Sequence, residues 1–381
     1  MKVVGILKLF YFTHFMSVGV FFPFLNLYLK QIGLRGSHIG IITAGGLFLA
    51  TLGQPVWGVI TDIFAKRKKV LQFNLFLSLI LVLILSLRKD FFTIFILLLL
   101  FRFIRSPLMR IIDTMTLTSP DIAYGRVRLW GSVGFGSASI LAGKLLQETS
   151  LHNFFYFFVL LGTFCLLISF FLPSDKKRRE ITQMTKNKLV ALVKNRTFSI
   201  FLLFSFLVGL PISMNSAFFS IYLSELGAKE GLVGLSWAVA SFSNIIVFFY
   251  SDNLLKRFGL VKPLFLGAFL FGIRWLLYAF ISNPFVILAI QAMHGVSFAL
   301  FYSSGVSFVS QITPSELQVT GQGIFGAFFT FGLSGIAGSL LGGIMLDTLG
   351  TSAMYAVGGT ISLLAAFLFL WSVKAKNKVW E

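Results

Sequence analysis

The sequence predicts an all-α membrane protein whose twelve transmembrane helices form two pseudo-symmetric six-helix bundles. Three observations support this fold. Hydrophobic residues make up 57% of the 381 residues and charged residues only 12%, and the mean hydropathy is +0.90. Long apolar stretches recur along the chain, and its two halves repeat the same turn residues. A water-soluble protein of this length needs a larger polar surface, so lipid must solvate much of the chain.

Each apolar stretch is long enough to cross a bilayer as a helix, which takes about 20 residues. The first stretch is too long for a signal peptide and lacks a small-residue cleavage site, so we expect it to be retained. The predicted spans, numbered one to twelve, are 5–29, 38–64, 70–87, 91–117, 128–147, 153–173, 198–224, 231–255, 263–282, 284–310, 317–346 and 351–373.

The basic residues predict the orientation of the chain. If both termini are cytoplasmic and helix ends are counted with the adjoining loops, 23 of the 32 Lys and Arg residues are cytoplasmic and six are outside. The other three, Arg102, Arg105 and Arg274, lie deep inside spans. This is the positive-inside pattern of a bacterial inner membrane protein. The net charge of +19 therefore reflects membrane topology and does not indicate nucleic-acid binding. We expect the protein to act as a monomer in the lipid bilayer, without a cofactor or a metal.

The longest hydrophilic stretch divides the spans into two sets of six. It predicts an N-terminal bundle over 1–173, a cytoplasmic central loop over 174–197 and a C-terminal bundle over 198–381. The bundles share residues at the end of their first spans. Tyr28, Leu29 and Gly33 recur 194 positions later as Tyr222, Leu223 and Gly227. Repeated six-helix halves place a substrate site near the middle of the membrane.

Ionisable residues within the spans are the first candidates for a functional site. Such a group costs at least about 2.5–3.5 kcal/mol in the membrane, so it usually has a partner or lines an aqueous cavity. Asp113 in span four and Arg128 in span five could pair, because a short connection makes these spans antiparallel neighbours. A purely structural ion pair is the alternative to a substrate site.

Span four carries two further candidates. Arg102 and Arg105 share one face of a helix, and Pro107 is expected to kink it. These arginines could line a cavity, or they could pair with Asp90 or extend to the membrane surface.

Two more side chains could contribute to binding. His14 in span one is a candidate, although a buried structural histidine is equally compatible with the sequence, and the ring of Phe135 could stack on a substrate. The four histidines are scattered, and no metal-ligand or nucleophile motif appears. The sequence therefore predicts that the protein is not an enzyme.

The loop between spans two and three, GVITDIFAKR at 58–67, resembles the signature of the major facilitator superfamily of secondary transporters. A shortened version follows span eight. The resemblance implies that this loop helps to latch the halves together during conformational change. The residues that match are Gly58, Asp62, Lys66, Arg67 and Asp252.

Three further segments resemble the phenylpropionate-permease and lactose-permease branch of that superfamily, whose members are proton symporters of sugars and organic acids. They are GVFFPFLNLYLKQIGLRGSHIG at 19–40, YGRVRLWGSVG at 124–134, and Arg274-Trp275 followed by QAMHG at 291–295. Their order and spacing cover most of the chain, and the members that transport aromatic acids are the more similar.

This resemblance implies roles for particular residues. Asp113 and Arg128 would hold the substrate, and Arg274 with His294 repeats the spacing of the proton-coupling pair. Ser297 stands where lactose permeases carry the glutamate that takes the proton. Protons would therefore have to pass through Asp113 or His294.

We therefore predict import of a small organic solute by alternating access, driven by protons. The four arginines of the core, Arg102, Arg105, Arg128 and Arg274, against one clear carboxylate favour an anionic substrate such as an aromatic carboxylate. Transport of a neutral sugar or nucleoside is the close alternative, because Asp113 and Arg128 could also hold hydroxyl groups. Drug export is a third.

Overall fold

A computed structural model describes residues 2–64, 66–117, 124–173, 195–314, 317–329 and 332–374. These residues form fifteen α-helices and contain no β-strand. The helices are α1 Lys2–Gln31, α2 Gly36–Phe64, α3 Arg67–Ser86, α4 Phe91–Arg105, α5 Leu108–Leu117, α6 Tyr124–Glu148, α7 Phe154–Ser169, α8 Arg196–Glu225, α9 Glu230–Phe258, α10 Val261–Phe280, α11 Pro284–Gln291, α12 Met293–Ile312, α13 Gln318–Phe329, α14 Leu333–Thr348 and α15 Gly350–Lys374.

The all-α membrane fold predicted from the sequence is confirmed. Three pairs of consecutive helices, α4–α5, α11–α12 and α13–α14, each correspond to one predicted span. By length and composition, eleven segments in the described part of the chain are suited to cross a membrane. The fifth predicted span, α6, is not among them, because its glycine, serine and charged residues lower its hydropathy. α6 packs extensively against α1, so protein rather than lipid covers much of it.

In two of these pairs, α4–α5 and α11–α12, a short break separates the two helices. α4 ends at Arg105 and α5 begins at Leu108. The break lies at Pro107, because proline has no N–H to donate and its ring clashes with the preceding turn. The kink predicted there is thus a complete interruption of the helix. Ala292 separates α11 from α12 without a proline, and no residue pattern indicates this second break in advance.

The packing of the helices repeats along the chain. In the first half, α3 packs against α4 and α7; in the second half, α10 packs against α12 and α15. Span three therefore contacts spans four and six, and span nine contacts spans ten and twelve. This repeated arrangement is expected if each half is a copy of one six-helix unit.

The chain divides into two compact units. One comprises Met1–Glu180 with Leu223–Phe242, and the other Ile181–Tyr222 with Ser243–Glu381. Parts of α8 and α9 thus belong to each unit. The boundaries predicted from the sequence, 1–173 and 198–381, stay a prediction, and most of the predicted loop over 174–197 lies outside the described residues.

The repeated turn after the first span of each half has the same backbone geometry in both copies. Gly33 has a φ of 94° and Gly227 a φ of 83°. In each copy the glycine N–H donates to a carbonyl three residues earlier, at 3.0 Å, and the next N–H donates to a carbonyl five residues earlier. This arrangement ends a helix at a residue with left-handed backbone, a conformation that favours glycine.

α1 and α6 approach each other closely through glycines on both helices. A Cβ atom added to Gly19 would lie 2.5 Å from the Phe135 carbonyl oxygen, and one added to Gly134 would lie 2.2 Å from that of Phe12. The Ser139 hydroxyl also donates to the Gly19 carbonyl at 3.0 Å. Small residues at these positions let the backbones touch. The contact places side chains of α1, such as Phe15, beside Arg128, the first residue of predicted span five.

We expect Gly33→Ala and Gly227→Ala each to lower the free energy of unfolding by about 1–2 kcal/mol, because a side chain disfavours the left-handed backbone conformation. Thermal unfolding of the purified variants in detergent tests this. Gly326→Ala is a matched control, because its added Cβ would meet nothing within 4 Å. Equal melting temperatures for all three variants would contradict the assigned turn geometry.

Candidate functional site

Asp113 and Tyr11 form a polar contact in the interior of the first unit. The Tyr11 hydroxyl on α1 donates to the Asp113 carboxylate on α5 at 2.5 Å, and the Tyr11 side chain is only 1% exposed. The hydroxyl of Thr116, one turn after Asp113, lies 3.4 Å from that of Tyr11. Sequence reasoning predicted Asp113 and missed Tyr11. The only signal for Tyr11 was its position three residues before His14, on the same face of α1.

Arg128 on α6 lies next to this contact but does not pair with Asp113. Its guanidinium carbon is 4.4 Å from the ring centroid of Phe15 and 5.8 Å from that of Tyr11. Tyr124, one turn earlier, lies beside both Asp113 and Arg128. No ion pair joins Arg128 to a carboxylate among the side chains that the structure describes. Tyrosines thus connect the predicted pair in place of a direct salt bridge.

His14 packs among aromatic rings beside the same arginine. Its ring lies 5.4 Å from that of Phe15 in an edge-on arrangement and 6.0 Å from that of Phe10 in a stacked one. The side chain is 4% exposed, and its Nδ1 atom has no hydrogen-bond partner among the described residues. Gly131 makes room for this cluster, because a Cβ there would lie 2.7 Å from the Phe15 ring and 2.9 Å from Arg128.

The two arginines near the end of α4 also lie against aromatic rings. The Arg102 guanidinium carbon is 5.8 Å from the ring centroid of Phe22. That of Arg105 is 5.4 Å from Phe101 and 5.2 Å from Phe158. Both arginine side chains are partly buried. These are cation–π contacts, which hold a positive charge without neutralising it.

The polar groups near these arginines leave their charge in place. Arg105 donates to the Ser78 hydroxyl at 3.4 Å, a long hydrogen bond to a neutral acceptor. Asp90, the acidic partner considered from the sequence, caps α4 by accepting from the Thr93 N–H at 2.9 Å. This hydrogen bond holds the pKa of the Asp90 carboxyl below its ordinary value. Neither arginine is ion-paired with Asp90 in the described part of the chain.

Arg274 on α10 is the most deeply buried charge of the second unit. Its side chain is 0% exposed, and none of its three guanidinium nitrogens has a hydrogen-bond partner among the described residues. Its guanidinium carbon lies 4.1 Å from the ring centroid of Trp275 and 5.2 Å from that of Phe271. The indole N–H of Trp275 is buried and unpartnered as well. Several buried donors in this region therefore have no hydrogen-bond partner among the described residues.

A network of tyrosines lies near Arg274 and was not predicted from the sequence. The Tyr278 and Tyr355 side chains lie within electrostatic range of the guanidinium. The Tyr278 hydroxyl donates to the Gln291 side chain, and the Tyr355 hydroxyl donates to Asn215 at 3.0 Å. The rings of Tyr278 and Tyr355 contact each other at 5.3 Å. The network holds neutral groups in fixed positions around the arginine.

His294 on α12 lies within electrostatic range of Arg274. Its ring stacks on Phe298 at 5.4 Å, and its Nδ1 atom has no described partner. Ser297 does not replace the missing glutamate, because its hydroxyl donates to the backbone carbonyls of Met293 and His294 at 3.0 and 3.2 Å. In the described residues, no carboxylate stands beside this pair.

The remaining predicted residues lie apart from these clusters or outside the described side chains. The Phe135 ring contacts Trp237 edge-on at 6.4 Å. Gly58 lies in α2, and a Cβ added there would meet nothing within 4 Å. Lys66 and Arg67 lie at the start of α3, whereas the side chains of Asp62 and Asp252 are outside the described part of the structure. The latch function of this loop stays a prediction.

Unpaired arginines suited to binding an anion lie in each unit. Arg102, Arg105, Arg128 and Arg274 all contact aromatic rings, and none of them is ion-paired among the described residues. A single cation–π contact supplies about 0.5–2 kcal/mol, which is less than the cost of about 2.5–3.5 kcal/mol for a charge at the membrane centre. The described residues also contain no group of His, Cys, Asp or Glu side chains that could hold a metal ion.

The chain matches one known family and two known permeases over nearly its whole length. The family model described as "MFS_1 like family" matches residues 5–357. The maltose permease of Geobacillus stearothermophilus is 26% identical over 99% of this chain and 96% of its own length. The probable 3-phenylpropionic acid transporter of Escherichia coli is 25% identical over 95% and 96%.

A crystal structure of the nucleoside transporter NupG has the same fold. It superposes with a TM-score of 0.84 at 20% identity, covering 98% of this chain and 100% of that one. At this level of identity, the likeness concerns the fold alone. The resemblance inferred from the sequence motifs is confirmed by the family match and the relatives together.

We expect Arg274→Met to raise the free energy of unfolding by about 1–4 kcal/mol without ligand, because it removes an unpaired buried charge and keeps most of the side-chain volume. Arg274→Lys, which keeps the charge, serves as the matched variant and should not gain stability. Melting temperatures in detergent distinguish the two. A less stable Arg274→Met protein would contradict the absence of a protein partner for this guanidinium.

Proposed function

Because the chain belongs to the MFS_1 like family of membrane transporters, we propose that it imports a small organic carboxylate in symport with protons. An aromatic carboxylate is the substrate that fits best, and alternating access is the mechanism. The relatives are transporters, so the chain is a secondary transporter and not an enzyme. The substrate class and the proton coupling are the parts that we propose.

The observation that carries the proposal is the positive charge of Arg102, Arg105, Arg128 and Arg274, none of which forms an ion pair among the described residues. Arg128 and Arg274 each keep guanidinium N–H groups without a carboxylate partner in the described residues. A substrate carboxylate can accept two parallel hydrogen bonds from one guanidinium. These charge-assisted hydrogen bonds are stronger than any that a neutral substrate could form there. The aromatic rings that hold the arginines also suit a substrate with an aromatic ring.

Asp113 gives this site a physical route to proton coupling. Both Asp113 and Arg128 contact Tyr124, so an ionised Asp113 offsets part of the arginine's charge. When Asp113 takes up a proton, that offset disappears and Arg128 attracts a carboxylate more strongly. Proton binding and carboxylate binding then favour each other by the same free energy. This role for Asp113 fits with Ser297, which supplies no carboxylate beside His294.

His294 and Arg274 form the second part of the proposed coupling system. Because the two side chains lie within electrostatic range of each other, protonation of His294 would place two positive charges close together. A carboxylate bound at Arg274 would offset that repulsion.

The remaining predicted residues have two proposed roles. The substrate site around Asp113 and Arg128 is completed by Arg102, Arg105, His14 and Phe135. The conformational change is controlled by the loop that contains Gly58, Asp62, Lys66 and Arg67, together with Asp252.

Import of a neutral sugar or nucleoside is the second candidate function. It is favoured by a specific contact, the Tyr11–Asp113 hydrogen bond, because a carboxylate and a phenol can bind hydroxyl groups as well as protons. The similarity to a maltose permease is consistent with this candidate.

The distribution of Lys and Arg residues supports a location in the bacterial inner membrane with both termini in the cytoplasm. We also propose a monomer as the working unit in the lipid bilayer.

We expect proteoliposomes to take up 3-phenylpropionate, but not maltose or uridine, faster than protein-free liposomes when the outside is acidic. One pH unit is worth a factor of about ten in the accumulation of a monocarboxylate carried with one proton. Initial rates should be compared with protein-free liposomes, because the protonated acid also crosses bilayers unaided. Uptake that ignores the gradient would contradict proton coupling, and saturable uptake of maltose or uridine alone would favour the second candidate.

Two variants separate coupling from binding in the same experiment. Asp113→Asn should abolish gradient-driven uptake but retain exchange of labelled for unlabelled 3-phenylpropionate, whereas Arg128→Gln should abolish both. The matched controls are Asp90→Asn, which removes an exposed carboxylate, and Arg126→Gln, which removes an exposed arginine of the same helix. Wild-type rates in Arg128→Gln would refute the assigned anion site.

A further inference from the structure

A groove on the surface of the second unit is not used by the proposed transport site. α9, α10 and α12 enclose a cavity of about 420 Å³. Its wall is apolar apart from one charged residue, Lys262. Tyr250 of α9, Leu266 of α10 and Val296 of α12 line it and are themselves exposed on the protein surface. An exposed apolar wall on helices of a membrane protein is suited to contact with lipid acyl chains.

We propose that this α9–α10–α12 groove is a binding site for an anionic phospholipid, with an acyl chain in the groove and the phosphate at Lys262. Along α9 the groove extends from Ile246 to Phe258. These twelve steps correspond to about 18 Å at 1.5 Å per residue. One leaflet contributes about half of the roughly 30 Å hydrocarbon thickness, so the groove matches the reach of a single acyl chain.

The charge at one end of the groove defines the headgroup. Lys262 begins α10, and Lys256 with Arg257 forms the last turn of α9; all three are exposed. Gly259, with a φ of 70°, makes the tight turn that brings the two helix ends together. No ion pair involves any of these three side chains among the described residues. Three cations beside an apolar groove are complementary to a phosphate joined to an acyl chain.

The same features argue against other occupants. A free phosphate would make no favourable contact with the apolar wall. A zwitterionic lipid would leave the excess positive charge unbalanced. A second copy of this chain, docked by the same face, would bring two basic clusters towards each other across a symmetric interface. The predicted topology places the basic end at the cytoplasmic surface, so the lipid would come from the inner leaflet.

Native mass spectrometry of the full chain in detergent tests the proposal with defined lipids. Phosphatidylglycerol should bind about tenfold more tightly than phosphatidylethanolamine of the same chain length, and glycerol 3-phosphate, which lacks acyl chains, should not bind. Lys262→Ala should remove most of this preference. Lys69→Ala is the matched control, because it removes an exposed lysine from the first unit and should leave the preference unchanged.

A second variant tests the groove without altering its charge. Leu266→Trp adds bulk at an exposed lining position, so it should lower the affinity for both lipids while the protein still folds. Equal affinity of the wild-type chain for the two lipids would overturn the proposal, as would equal effects of Lys262→Ala and Lys69→Ala. A lipid-free dimer whose formation Leu266→Trp abolishes would show that a second copy occupies the groove instead.

Discussion

Positive charge in an apolar interior, without a matching negative charge among the described residues, is the main constraint on this structure. Arg274 has no hydrogen-bond partner among the described residues and is entirely buried, and Arg128 lies against rings beside a carboxylate that it does not pair with. Each cation–π contact contributes about 0.5–2 kcal/mol, whereas insertion of the charge costs at least about 2.5–3.5 kcal/mol. The cation–π contacts and the surrounding packing together must offset that cost. In the proposed function, an anionic ligand that binds these groups stabilises them further.

The helix packing explains how these charges are held in position. Close backbone contact between α1 and α6, at Gly19 and Gly134, sets Tyr11 and Phe15 beside Arg128. The break at Pro107 divides span four, so that Arg105 ends one helix and Asp113 lies on the next. Each polar group is therefore fixed by a feature of the backbone rather than by a salt bridge. Tyr11 and Tyr124 lie beside these charges, and no salt bridge joins Asp113 to Arg128 among the described side chains.

The sequence was sufficient to predict the fold and to find the charged residues that lie within the spans. Apolar spans need no tertiary information to be recognised, and the repeat at Gly33 and Gly227 was visible because left-handed turns restrict the residue type. The partners of those charges could not be predicted. Tyr11 meets Asp113 across 102 residues, and only packing determines that contact. The break at Ala292 was equally hidden, because no proline marks it. α6 was predicted as a span, yet its polarity makes sense only once α1 is seen to cover it.

The most direct test of the central claim is the affinity of the purified protein for a carboxylate compared with its neutral amide. Isothermal titration calorimetry with 3-phenylpropionate and 3-phenylpropionamide compares two ligands of the same shape that differ in charge. Hydrogen bonds to charged groups contribute about 1.5–3 kcal/mol, so we predict that the carboxylate binds at least about tenfold more tightly and that Arg128→Gln removes the difference. Equal affinities, or tighter binding of the amide, would contradict the view that unpaired arginines define the substrate.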